Sequence, residues 1–185
     1  MKFLKLKYLV FIFKLIFLKI KFKSKIKFSS YRVGIENNTQ VIIKGKNAKI
    51  IFGYTNYFYR FGNLEVFDNG KIVFGDNVSI NKGFSIVSRK SIFFGNNVMI
   101  GPNVMIYDHD HNFNKKNITF KNQGYNSSSI TIGDNVWIGA NVFISKGVKI
   151  GNNVVVAANS VITKDVPNNS LVAGNPFVII KKINE

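Results

Sequence analysis

The chain has no cysteine. That excludes a disulfide scaffold and a Cys-based zinc site, and it fits a cytoplasmic protein. Two familiar settings for a covalent nucleophile are missing as well, since no Cys is present and no Gly-x-Ser-x-Gly elbow occurs. Long apolar runs are missing too. The longest N-terminal stretch, residues 8–18, is 11 residues and contains Lys14, whereas a membrane-spanning helix needs roughly 20. The same Lys interrupts what would be the apolar region of a signal peptide, and further Lys follows where a small-residue cleavage site belongs. Acidic residues number only 9, and the chain holds one Trp and two His.

Basic and apolar residues are plentiful. Lys and Arg total 26 for a net charge of +17, and 46% of the 185 residues are hydrophobic, which argues against disorder. The charge is concentrated: residues 1–35 contain nine Lys, one Arg and no acid. Within them, residues 19–28 alternate Lys with Ile, Phe or Ser, a period of two that predicts a strand with one ammonium face. Residues 3–18 read as a strand or an interfacial helix. The segment 1–35 is therefore a basic apolar arm, either a cap on the fold or an attachment to an anionic membrane surface at the inner face of the cell membrane. Nucleic acid is not an expected partner, because no helix–turn–helix, zinc or RNA-binding signature accompanies the charge.

The remainder follows a six-residue repeat. Phe74, Ile80 and Ile86 are six apart, as are Phe94, Ile100 and Ile106. The longest run is Ile132, Ile138, Ile144, Ile150, Val156 and Ile162. The fourth position is Asn at 77, 97, 103, 135, 141, 153 and 159, Gly at 83 and 147, and Asp at 165. These residue types best tolerate positive φ. Only Arg89 and His109 break the pattern. Each hexad is thus a short strand with its first side chain inward, ended by a tight turn. Three hexads make a triangular coil of 18 residues, and stacked coils form an all-β parallel β-helix. The expected organisation is a β-helix over residues 36–175, with a loop inserted at 112–131, and a short C-terminal extension over 176–185.

The hexads Ile-Gly-Asp-Asn-Val-Trp and Ile-Gly-Ala-Asn-Val-Phe resemble those of the hexapeptide-repeat, left-handed parallel β-helix acyltransferases. The likeness covers roughly residues 64–181. It is closest to the galactoside, maltose and nodulation acetyltransferase branch, which includes O-acetyltransferases of capsule and O-antigen sugars. Three segments carry it: Tyr107-Asp108-His109-Asp110-His111, Asn135-Val136-Trp137-Ile138-Gly139, and Val172-Ala173-Gly174-Asn175-Pro176. The resemblance implies left-handed coiling, a homotrimer with active sites between neighbouring subunits, acetyl-CoA as acyl donor and a carbohydrate acceptor.

O-acyl transfer needs a base for the sugar hydroxyl and donors for the oxyanion. His is the usual base near neutral pH, and only His109 and His111 are available. His109 falls at a turn position, where side chains usually serve the backbone. His111 ends its hexad, directly before the 20-residue loop at 112–131, and a loop of that length inside a compact domain is often functional. The resemblance agrees, since its members place the catalytic His seven residues beyond the Val that aligns with Val104. It also implies Trp137 as an oxyanion donor or pocket wall, and Ala140, Ala158, Thr163 and Lys181 along coenzyme A. Lys181 stands where relatives have Arg, so the bidentate fork is lost; Val178 replaces a second Arg, with Lys164 or Lys182 as substitutes. Tyr107, Asp108 and His109 are candidate acceptor-binding residues, while Gly83 occupies a position that often carries a substrate-binding Asn. Metal catalysis is not expected, because two His supply too few ligands. The expected function is O-acetylation of a surface-polysaccharide sugar or its precursor. N-acetylation of an amino nucleotide sugar and a non-catalytic trimeric assembly module are the alternatives.

Overall fold

A computed structural model describes residues 2–183, and the side chains of residues 8–183. The side chains of Lys2, Lys5 and Lys7, counted in the basic arm, and the last two residues of the C-terminal extension lie outside the described residues. The twelve hexad-leading residues are all buried, from Phe74 through Ile162. They line the inside of three parallel sheets that wrap around one core. The first sheet contains Ile26–Phe28, Lys49–Phe52, Lys71–Phe74, Ile92–Phe94, Ile130–Ile132 and Lys149–Ile150. The second runs through Tyr57–Phe58, Ser79–Ile80, Met99–Ile100, Val136–Ile138 and Val154–Val156. The third includes Gln40–Ile43, Asn63–Val66, Ser85–Ser88, Met105–Tyr107 and Phe143–Ile144. This solenoid of about six turns is a parallel β-helix, in keeping with the left-handed class.

The corners explain the fourth-position rule. All seven Asn adopt φ between 54° and 61°, and Gly83 and Gly147 adopt 74° and 81°. Their side chains then stack along the coil axis. Asn135 Nδ2 donates to Asn153 Oδ1 at 2.9 Å, and Asn153 Nδ2 donates to Asn169 Oδ1 at 2.9 Å. A second ladder lies beside it: the Asn96 amide donates to Asp134 Oδ1 at 2.6 Å, and the Asp134 amide to Asn152 Oδ1 at 2.8 Å. The corners therefore satisfy backbone donors that no strand reaches. Asp165 departs from the expectation. It is not among the left-handed residues; its carboxylate instead accepts the Lys149 amide at 2.8 Å.

The coil length is not uniformly 18. Ile132 pairs with Ile150, 18 residues on, but Phe74 pairs with Phe94 and Phe52 with Phe74, at separations of 20 and 22. The early coils carry four-residue strands such as Asn63–Val66 and Lys71–Phe74, where later ones have two or three residues. Large rings fill the wider interior. Phe28, Phe52, Phe74 and Phe94 stack in sequence with centroids 5.0, 5.3 and 4.7 Å apart.

The first parallel strand is Ile26–Phe28, so the coil begins inside the segment read as the arm. Ahead of it, Lys2–Phe22 is a single α-helix, followed by a 3₁₀ turn at Lys23–Lys25. The strand expected over 19–28 is thus corrected to its last three residues. The reason is competition between two patterns. Residues 2–22 contain no Gly, Pro, Asn or Asp to interrupt a helix, and Phe11, Leu15 and Leu18 fall on one helical face and are buried. Leu15 and Leu18 join the continuous core, which closes the end of the first coil. At the other end, Phe177–Lys182 folds back antiparallel on Ser170–Gly174. Among the described residues no helix is long and apolar enough to cross a membrane.

Candidate active site

The two residues that break the corner rule lie at one corner. Met105–Tyr107 is the third-sheet strand of its coil, and the chain then leaves the coil as His109–His111, paired antiparallel with Tyr125–Ser127. The inserted loop is therefore a short ribbon with a folded tip. Gln123, which is buried, organises that tip: its Oε1 accepts the Lys115 amide at 2.9 Å and its Nε2 donates to the Ile118 carbonyl at 2.8 Å.

Asp108 anchors the base of the ribbon. It is fully buried. Its carboxylate accepts hydrogen bonds from Ser88 Oγ at 2.7 Å and from the amides of Arg89 and Lys90 at 2.8 Å each. His109 Nδ1 lies 3.1 Å from Asp108 Oδ1. Burial pushes the Asp108 carboxyl upward, but the bonds from His109, Arg89, Ser88 and Lys90 outweigh it and hold the group below its ordinary range. Asp108 thus supports the corner and orients His109. Asp108 is buried, and the turn at Ser88–Lys90 engages both of its oxygens.

Tyr125 gathers the other groups. The His111 ring packs 4.4 Å from it, and the His109 ring meets it edge-on at 5.5 Å. On the same ring sits the Arg89 guanidinium, 3.5 Å from the centroid. Arg89 also pairs with Asp68 at 2.5 Å. His111 is exposed, whereas the His109 side chain retains 15% of its accessibility. Asp110 does not join the cluster; it forms an ion pair with Lys146. Tyr107 stands on the outer face of the third sheet, with its hydroxyl donating to Ser85 Oγ at 3.1 Å and its ring edge-on to Phe143 at 5.9 Å. Tyr107, Asp108, His109 and His111 are therefore contiguous. Among the described residues, no group of three His, Cys, Asp or Glu side chains is placed to hold a metal.

Other candidate residues lie elsewhere on the chain. Trp137 is on the second sheet, between Met99 and Val155 in register, and is 53% exposed. It borders an open groove of about 460 Å³ that also touches Asn97, Asn135 and Ile183. A single chain does not bring Trp137 to His111, since the second sheet faces away from the corner between the third and first. Ala140 and Ala158 occupy one corner in successive coils, and a Cβ at Gly139, which precedes Ala140, would lie 2.6 Å from the Ala158 amide nitrogen. Thr163 follows the last strand of the third sheet, and Lys181 lies on the terminal hairpin; both are exposed. Arg89 and Tyr125 emerge as organising residues. Sequence reading singled out Arg89 only as an exception to the turn rule, and that exception was the signal.

Comparison with known proteins gives the class. Residues 129–164 match the bacterial transferase hexapeptide model of six repeats. A provisionally named lipopolysaccharide-biosynthesis O-acetyl transferase of Escherichia coli strain K12 is 40% identical over 128 residues, which are 65% of each chain. A Saccharomyces cerevisiae protein with a provisional acetyltransferase name is 36% identical over 172 residues, covering 91% of this chain and 84% of that one. A hexapeptide-repeat-containing acetyltransferase of Vibrio cholerae O1 biovar eltor, solved with acetyl coenzyme A, superposes with a TM-score of 0.65 at 32% identity, over 72% of this chain and 70% of that one. The chain belongs to the hexapeptide-repeat acetyltransferase family. It spans slightly under two-thirds of the length of the Escherichia coli relative.

Proposed function

We propose that the protein transfers an acetyl group from acetyl-CoA to a sugar hydroxyl of a surface polysaccharide, capsule or O-antigen, or of its precursor. The observation that carries this reading is the meeting of both imidazoles on the Tyr125 ring, at an open corner beside an inserted loop. Similarity to a lipopolysaccharide-biosynthesis O-acetyl transferase supports the acceptor class.

In this mechanism His111 accepts the hydroxyl proton as the oxygen attacks the thioester carbonyl. A tetrahedral oxyanion forms, the carbon–sulfur bond breaks, and the thiolate leaving group takes up the proton from His111. Trp137 is exposed on a different face, so its indole would reach the oxyanion from a neighbouring copy; this is why we assign the working unit as a homotrimer. Ala140, Ala158 and Thr163 would flank the pantetheine, with Lys181 near the phosphates. Tyr107 and His109 would border the acceptor. A polymer or lipid-linked precursor would be met at the inner face of the cell membrane, and the reading places the protein there.

One observation favours a second assignment of the base. His109, not His111, has a carboxylate partner, as oriented catalytic imidazoles often do. The two separate by mutation. The test of the function itself is incubation with acetyl-CoA and a panel of capsule and O-antigen oligosaccharides, following thiol release and a mass gain of one acetyl group. Thiol release that needs an oligosaccharide supports the reading. An unchanged rate with every sugar in the panel, alongside transfer to an amino sugar nucleotide, would replace it with N-acetylation.

A further inference from the structure

The N-terminal helix has two apolar faces, and the fold uses one. Phe11, Leu15 and Leu18 form the buried inner stripe: Leu15 and Leu18 join the core at the first coil, and Phe11 packs edge-on against Tyr57. Advancing 100° per residue, Leu9, Phe13, Ile16 and Ile20 form a second stripe on the opposite side of the same helix. These four are exposed, Phe13 and Ile20 at 70% each, and Phe17 beside them at 60%. Helix propensity does not require this: a helix that only capped the coil would carry polar residues on its outer face. Tyr31, also 70% exposed, borders the same flank, where it shares a surface cavity with Ile16, Lys19 and Ile20.

The charges around the stripe select its occupant. Lys19 and Lys21 on the helix, Lys23 on the turn that follows it and Lys27 on the first strand are exposed. Lys14 is drawn back into the fold, donating to the Glu36 carbonyl, and burial lowers its pKa against the opposing pull of Glu36. No acidic residue occurs in residues 1–35. A second copy docking through this face would bring two lysine-rich rims together, at a repulsive cost. An anionic lipid surface meets both requirements: acyl chains for the apolar stripe and headgroups for the ammonium rim. Tyr31 suits the same boundary, where an aromatic ring with a polar tip is favoured.

We infer that the outer stripe Leu9–Phe13–Ile16–Ile20, rimmed by Lys19, Lys21, Lys23 and Lys27, lies in the interface of an anionic bilayer while the inner stripe holds the coil. The helix is thus cap and anchor at once. It lies in the membrane plane and does not cross it, because its inner stripe is committed to the protein core. The corner carrying His109 is roughly three to four coils from the helix end, which at about 4.8 Å per coil sets it some 15–20 Å above the lipid. This inference deepens the location given under the proposed function, and its test does not depend on acetyl transfer.

The test is sedimentation of the full chain with vesicles of phosphatidylglycerol mixed into phosphatidylcholine, compared with phosphatidylcholine alone. The wild type should bind the anionic vesicles and lose binding as salt is raised. The triple variant Phe13→Ser, Ile16→Ser, Ile20→Ser should bind at least about tenfold more weakly, since three large apolar contacts are removed. Its melting temperature should stay near that of the wild type, because the inner stripe is untouched. The variant Lys19→Gln, Lys21→Gln, Lys23→Gln should lose the preference for anionic over neutral vesicles. Wild-type protein that ignores anionic vesicles would overturn the inference. So would a Ser triple variant that binds them equally, or one that changes oligomeric state in the absence of lipid, which would make the stripe a contact between copies.

Discussion

The Arg89 guanidinium lies 3.5 Å from the centroid of the Tyr125 ring. Arg89 belongs to the corner of one coil and Tyr125 to the ribbon inserted after the next. The contact therefore ties the loop to the solenoid, and the face of Tyr125 presented to His111 depends on it. Asp68 completes the arrangement by pairing with the same guanidinium at 2.5 Å.

Replacing Arg89 by Leu should loosen the loop without unfolding the coil. A cation–π contact of this kind is worth about 0.5–2 kcal/mol. Amide hydrogen exchange over residues 112–127 should speed up, and kcat should fall several-fold with little change in KM for acetyl-CoA. Arg89→Lys should recover only part of the loss, because Lys lacks the planar stacking surface. Tyr125→Phe should behave as wild type, since the ring and not the hydroxyl makes these contacts. Unchanged exchange and kcat in Arg89→Leu would remove Arg89 from the positioning role.

Asp108→Ala should destabilise the protein more than any change at Asp110. It strips a partner from Ser88 Oγ and from two backbone amides, and each buried group left unsatisfied costs about 1–3 kcal/mol. A pH dependence accompanies this. The folded-state pKa of Asp108 is lowered, so its stabilising contribution is complete above the ordinary carboxylate range and is lost as pH falls through the lowered value. Melting temperature should therefore drop in acid for the wild type, with a shallower acid slope in Asp108→Asn. Equal slopes would show that other carboxylates dominate.

Much of this architecture was legible because its signals are local and repeated. A first-position residue such as Ile138 is buried for the same reason as Ile144, and Asn141 turns the chain as Asn159 does. The site was legible only in part. His111 stood out from the hexad register and from the family resemblance. The contact of Arg89 with Tyr125 did not, because it crosses an insertion whose path no periodicity describes. The N-terminal helix was misread at residues 19–25 because both of its faces are apolar. With no amphipathic contrast between them, the alternation of Lys with Ile and Phe carried more weight than helix propensity. The burial of Asp108 was also hidden: the sequence shows a carboxylate next to His109 but not the amides of Arg89 and Lys90 that enclose it.

The corner ladders make a separate prediction. Asn153 holds φ at 55° and bridges Asn135 and Asn169. Asn153→Ala should cost about 1–2 kcal/mol for the left-handed backbone, plus about 0.5–1.5 kcal/mol for each hydrogen bond removed. Asn153→Gly should retain the backbone conformation and cost less. Chemical denaturation of the two variants tests the order. A less stable Gly variant would mean that the chain entropy of glycine outweighs the left-handed strain at this corner.

The most direct test of the proposed mechanism is the acceptor-dependent rate of thiol release from acetyl-CoA by wild type, His111→Ala and His109→Ala, measured with one accepted oligosaccharide. If His111 is the base, His111→Ala should lose about 10²–10⁴-fold in kcat, with acetyl-CoA binding nearly unchanged. His109→Ala should lose much less, since its ring is tied to Asp108. A His111→Ala enzyme close to wild type, with the large loss falling on His109→Ala, would contradict the account and transfer the role to the His109–Asp108 pair.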